Sequence, residues 1–216
     1  MGPVAVIAAL DQDAHALVGR LPRSGTIGPR IPCWEGDGIV VVVGGEGKVA
    51  AAMATQFLHD AFKPRCVVAV GHAAALKREA SRGHVVVAAA AAQYDFDAQP
   101  INSDGAVAEK LTIATKRAVE NPRIVRSGLV LTGDRPATLN AVRDAIAKDF
   151  PDGACIDMET AAVAQVAQQN GLPWGAVRVT SDASGEGFDI EAVIDFGVKS
   201  AGELFARIIT DALTDL

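Results

Sequence analysis

The chain has 216 residues, half of them apolar, with 26 acidic against 20 basic side chains. One domain spanning residues 1–216 is expected, burying roughly 70% of the unfolded surface. No basic block or interleaved aromatic run offers a footprint for nucleic acid. The longest apolar stretch, Val85 to Ala92, falls far short of the ~20 residues that a membrane-spanning helix needs.

Met1-Gly2-Pro3-Val4 has no basic residues ahead of its apolar run, so a cytoplasmic protein without nucleic-acid or membrane partners is expected. Cys33, Cys66 and Cys155 lie far apart, with no CxxC pair and no histidine at metal-ligand spacing. They read as small buried hydrophobes, and no metal site is expected.

In chain order, apolar β-branched runs at Val4–Ala9, Gly38–Val43, Cys66–Val70, His84–Ala88, Ile124–Leu131 and Trp174–Thr180 read as strands. Between several of them, apolar residues spaced three and four apart predict helices over Lys48–Phe62, Leu139–Phe150, Thr160–Asn170 and Ile190–Leu213. This alternation predicts an α/β fold, a mostly parallel sheet sandwiched by helices, with ligands at the carboxyl ends of the strands. Thr26–Val43 differs. Gly28-Pro29 and Gly36-Asp37-Gly38 punctuate it like a hairpin or meander, which makes the sheet mixed.

Gly45-Glu46-Gly47-Lys48-Val49-Ala50 formally fits a dinucleotide fingerprint, but no carboxylate follows at the second strand end to hold a ribose. A tight turn before an alanine-rich helix is the plainer reading. Val49 also stands where a P-loop needs Ser or Thr, and no G-x-S-x-G elbow supports acyl hydrolysis.

Carboxylates are the better candidates. Asp11 and Asp13 follow the first strand, where they could cap a helix or act on a substrate. Asp157-Met158-Glu159 occupies a second strand-to-helix junction, and Arg178-Val179-Thr180-Ser181-Asp182 ends the strand from Trp174. Three acid clusters thus converge on one edge of the sheet. His72, after Gly71 at another strand end, is a candidate base or a packed structural histidine.

These blocks, with Ala8-Ala9-Leu10-Asp11-Gln12-Asp13 and Thr132-Gly133-Asp134, resemble in this order the methylthioadenosine/S-adenosylhomocysteine nucleosidases of the purine nucleoside phosphorylase superfamily. The resemblance implies a nucleoside phosphorylase-like three-layer sandwich around a mixed, largely parallel twisted sheet. It also implies a homodimer and hydrolysis of a purine nucleoside without cofactor or metal. Glu159 would grip the ribose hydroxyls, with Met158 against the sugar and Asp157 beside them. Asp182, oriented by Ser181, would protonate N7 of adenine, provided that burial or a like charge keeps its proton. Asp13 falls where the family has a water-activating glutamate, and is shorter by one methylene.

In the same resemblance, Pro136 and Ala137 belong to the adenine-contacting loop, with Pro136 in place of an aromatic. Gly71-His72-Ala73-Ala74-Ala75 stands for a smaller glycine-rich run, so His72 and Ala73 line the sugar. Glu46 replaces an apolar residue of the 5′ subsite, which Phe188 also lines. Arg178 remains for a phosphorylase, which would need a phosphate cradle. Glu46 and His72 would also admit a futalosine-like or hopanoid-linked 5′ substituent, and the shorter Asp13 is compatible with a non-catalytic purine-binding protein.

Overall fold

The computed structural model describes residues 2–27, 31–76, 80–97, 99–182, 189–196 and 200–213. The first strand, β1 (Val4–Ala8), is buried at every residue because it runs in parallel between β4 (Ile39–Val43) and β5 (Cys66–Ala75). Unbroken Val/Ile/Ala sequence is what a strand covered on both faces requires. Beyond β4, the chain forms the expected meander: β2 (Arg23–Ile27) and β3 (Ile31–Gly36) pair antiparallel with each other, and β3 pairs antiparallel with β4. Asp37 and Gly38, both at positive φ, make the two-residue turn between β3 and β4.

On the other side lie β6 (Val85–Gln93), β8 (Val125–Thr132), β9 (Gly153–Asp157) and β10 (Trp174–Thr180), with the short β7 (Ile101–Asn102) on β6. The order is β10-β6-β8-β9-β5-β1-β4-β3-β2, and an additional β10–β5 pairing closes five strands on themselves. Closure brings the ends of β5, β8, β9 and β10 around one opening, with β1 alongside.

Helices cover both faces. On one, α1 (Asp11–Val18), α3 (Gly105–Ala118) and α7 (Gly202–Leu213) bury Leu17, Leu111, Phe205 and Ile208 against alternate residues of β1 and β10. On the other, α2 (Lys48–Phe62) and α5 (Thr160–Gln169) bury Leu58 and Val163. A third cluster joins Ile146 of α4 (Asn140–Asp149) to Leu76, Leu131 and Ile156. This is the three-layer arrangement. The three cysteines are buried, and burial pushes the Cys66 thiol up to about 11.

Three sequence expectations need correction. The strand from Cys66 does not end at Val70 but continues to Ala75, because Gly71–Ala73 pair with β10 and Ala74–Ala75 with β9. His72 therefore lies within β5. The strand expected over His84–Ala88 likewise runs on to Gln93, so that the alanine run Ala88–Ala92 ends it in register with β8 across a bulge between Ala88 and Ala90. Finally, Ile190–Leu213 forms two described helices, α6 (Ile190–Phe196) and α7. The start of α7 is set by a close approach to α1, where a Cβ on Gly202 would lie 2.6 Å from both the Gln12 carbonyl oxygen and the His15 ring. The helix α3 adds to the elements expected from apolar spacing, and Asp104 caps it by accepting from the Val107 N–H at 3.0 Å.

Candidate active site

A cavity of about 360 Å³ opens where these strand ends meet. Asp13, Glu46, His72, Ala73, Pro136, Ala137, Asp157, Met158, Glu159, Arg178, Ser181 and Asp182 all line it. Phe188 lies outside the described residues. The two acids of the first cluster part company: Asp11 is exposed at the start of α1, whereas Asp13 is buried and faces the cavity.

The centre of the site is Arg178, fully buried on β10. Its Nε lies 2.8 Å from Asp157 Oδ2 and donates to the Thr160 hydroxyl at 2.9 Å, while Nη2 is 3.7 Å from Glu159 Oε2. Asp157 also accepts from the Thr132 hydroxyl (2.5 Å), the Thr160 N–H (3.0 Å) and the Thr160 hydroxyl. Three hydrogen bonds and the ion pair with Arg178 hold this carboxylate and lock the ends of β8, β9 and β10 together.

Glu159, two residues on, is less fully matched. Besides Arg178, it accepts from the Gly47 N–H at 3.1 Å. Burial pushes its carboxyl up to about 7 against the pull of Arg178. Gly47 sits at φ 89° at the start of α2, and the next amide, that of Lys48, donates to Asp134 at 2.8 Å. The G-x-G turn thus offers its N–H groups to the protein's own carboxylates, which removes the dinucleotide reading.

At the other end, Asp182 is buried, accepting from the Ala75 N–H at 3.1 Å on Oδ1 and from Arg143 on Oδ2. Burial was expected, but the neighbouring charge is opposite rather than like. The Ser181 hydroxyl reaches the Ala73 carbonyl at 3.4 Å, so Ala75 and Arg143 hold Asp182. Arg143 also donates from Nε to the Ala137 carbonyl at 2.5 Å, joining the loop of Pro136 and Ala137 to Asp182.

Sequence reasoning missed Arg143, since an arginine on an amphipathic helix ordinarily reads as solvated. Its spacing of three from Ile146, the other buried residue of α4, was the available signal. At the opposite wall, His72 Nδ1 stands 2.6 Å from Asp13 Oδ1. Among the described residues no group of three His, Cys, Asp or Glu side chains could hold a metal ion.

A closed, mixed α/β sheet with carboxylates and two buried arginines around a cavity at its strand ends is the kind of place where an α/β enzyme binds a small ligand. Residues 3–214 match the phosphorylase superfamily, and the chain belongs to that family. A 5′-methylthioadenosine/S-adenosylhomocysteine nucleosidase of Actinobacillus succinogenes is 29% identical, with 96% of this chain and 98% of the relative covered. The nucleosidase of Neisseria meningitidis, solved with methylthio-immucillin-A, superposes with a TM-score of 0.89 at 27% identity over the full length of both chains. That of Streptococcus pyogenes, solved with 5-methylthiotubericidin, gives 0.88 at 26%, covering 100% of this chain and 97% of the other.

Proposed function

We propose that the chain hydrolyses the N-glycosidic bond of a 5′-substituted adenine nucleoside of the methylthioadenosine/S-adenosylhomocysteine type, releasing adenine and the ribose derivative. The observation that carries this reading is the gathering of Asp13, Glu159 and Asp182, from three separate elements, on one nucleoside-sized cavity. It agrees with the nucleosidases to which the chain is similar over nearly its whole length.

Each acid then has a place in a dissociative displacement. Glu159, with its carboxyl near 7, both donates to and accepts from the sugar hydroxyls near neutral pH, and Met158 packs on the ring. Asp182 stands at the base, where a proton passed to N7 makes the purine a neutral leaving group, while Arg143 adds positive potential at the same end. Asp13 takes the proton of the attacking water. Both buried arginines already face carboxylates, so hydrolysis is favoured over attack by a phosphate dianion. Glu46, exposed at the rim, suits a polar group on the 5′ tail.

We read the protein as a single cytoplasmic domain, in which β1 and β10 both pair with β5. No described helix is long and apolar enough to cross a membrane. Val49 and Met53 of α2, Phe96, and Leu139 and Val142 at the start of α4 are exposed apolar residues that suit a second copy of the chain. Light scattering tests that dimer.

The deciding experiment is release of adenine from methylthioadenosine, S-adenosylhomocysteine and adenosine, with and without phosphate. Phosphate-independent release, abolished by Asp182→Asn, is expected. Asp13→Asn should lose turnover while still binding adenine. Adenine binding without release from any of the three would redirect the reading to a bulkier 5′ substituent or a binding protein.

A further inference from the structure

We propose that His72 is a positioning residue for the water-activating carboxylate, an Nδ1–H donated to Asp13 Oδ1 holding this short acid where it meets the attacking water. The inference rests on reading Asp13 as the group that takes the water's proton. In that step the water oxygen bonds to C1′, its proton passes to Asp13, and the electron pair of the C1′–N9 bond leaves with the purine.

The geometry begins with β5. Because the strand continues through Gly71 and His72, in register with Arg178 and Val179 of β10, the imidazole is carried by the sheet and not by a loop. Gly71 makes the approach possible: a Cβ there would lie 2.3 Å from Arg178 Nη1 and 3.2 Å from Asp13 Oδ2. Asp13 therefore turns Oδ2 towards Gly71 and Arg178, and Oδ1 towards His72, 2.6 Å away.

Asp13 is buried, at 2% side-chain exposure, and His72 is nearly so, at 10%. Neither His72 nitrogen nor Asp13 Oδ1 has an aligned hydrogen bond among the described residues. Buried polar atoms are rarely left unmatched, and here Nδ1 and Oδ1 lie beside each other as donor and acceptor. A rotation of the ring that aligns Nδ1–H with Oδ1 would complete that bond.

The surroundings limit that rotation. Phe196 of α6 and Phe205 of α7 meet the imidazole edge-on, with centroids 6.0 and 6.3 Å away. Arg178 and Glu159 interact electrostatically with Asp13, but Arg178 already has Asp157 at 2.8 Å and Glu159 at 3.7 Å. His72 is thus the group in place to fix Oδ1.

The test compares wild type, His72→Ala, Asp13→Glu and the double variant Asp13→Glu/His72→Ser, with kcat and KM for methylthioadenosine and the tautomer of His72 from ¹⁵N NMR. His72→Ala should lower kcat by roughly 10- to 100-fold, as an ångström-scale displacement of a catalytic group does, while KM changes by less than about 3-fold. Asp13→Glu alone should fall comparably, because the imidazole occupies the room its extra methylene needs. The double variant should recover to within about 10-fold of wild type, a coupling expected only of residues in contact.

Full kcat in His72→Ala, or losses that multiply in the double variant, would overturn the proposal. So would a His72 proton resting on Nε2. An inert wild type whose His72 still carries the Nδ1 proton would remove the nucleosidase reading and leave the pairing supported.

Discussion

Arg178 and Arg143 are both buried to the guanidinium, yet they are built differently. Arg178 comes from the middle of the closed sheet and meets Asp157, Glu159 and the Thr160 hydroxyl. Arg143 comes from α4, most of which is solvated, and meets Asp182 and the Ala137 carbonyl while its Nη1 has no hydrogen-bond partner among the described residues. The first cluster ties strands together and is over-determined. The second clamps a loop to one acid and depends on a single side chain.

That contrast predicts a ranking. Arg178→Leu should be the most damaging change, leaving the buried Asp157 and Glu159 uncompensated at a loss of about 3–5 kcal/mol, read from the urea midpoint. A loss below about 1 kcal/mol would mean that the strand ends do not depend on this cluster. Arg143→Leu should cost less, about 2–3 kcal/mol, for one stranded carboxylate. Adding Asp182→Asn to Arg143→Leu should return part of that stability, since the uncompensated charge is then gone. If the double variant is instead less stable than Arg143→Leu alone, the clamp is not electrostatic.

Glu159 sharpens the comparison through pH. Its folded value of about 7 lies above the ordinary 4.5, because burial outweighs Arg178, so the folded protein holds a proton that the unfolded chain releases. The stability linked to that proton is complete below about 4.5 and is lost as pH rises through about 7. Glu159→Gln should therefore melt close to wild type near pH 4.5 and about 3 °C higher at pH 8, the shift of ~1 kcal/mol in a domain of this size. Equal melting temperatures at both pH values would mean that burial does not dominate at Glu159.

The smallest effect is expected at the rim. Glu46→Ala should change stability by less than about 0.5 kcal/mol. It should lower kcat/KM for S-adenosylhomocysteine, whose tail carries an ammonium group, and leave methylthioadenosine nearly untouched. Parallel changes for both substrates would place Glu46 away from the 5′ tail.

Much of this site is legible in the sequence for a local reason. Asp157-Met158-Glu159 and Arg178–Asp182 each follow an apolar run, and strand ends in an α/β sheet are where side chains escape the core. The helix Lys48–Phe62 is readable to the residue, because its apolar spacing and its flanking Gly47 are local signals. Periodicity alone does not separate Asp13 from Asp11, although the family resemblance singles out Asp13. Only the packing of α1 against β1 and β5 buries one and exposes the other.

What the sequence determined by itself was therefore the class of fold, the order of its elements and the set of acids at the strand ends, all of which depend on periodicity within a few residues. The tertiary structure decided the partners. Continuation of β5 to Ala75 follows from pairing with β10 and β9, and it carries His72 to Asp13. Rotation of α4 about Ile146 brings Arg143 to Asp182. Asp157 became a structural tie, and its neighbour Glu159 a half-matched acid, because side-chain donors from three other elements converge on one and not on the other. Such pairings join residues distant along the chain, and only closure of the sheet sets their distances.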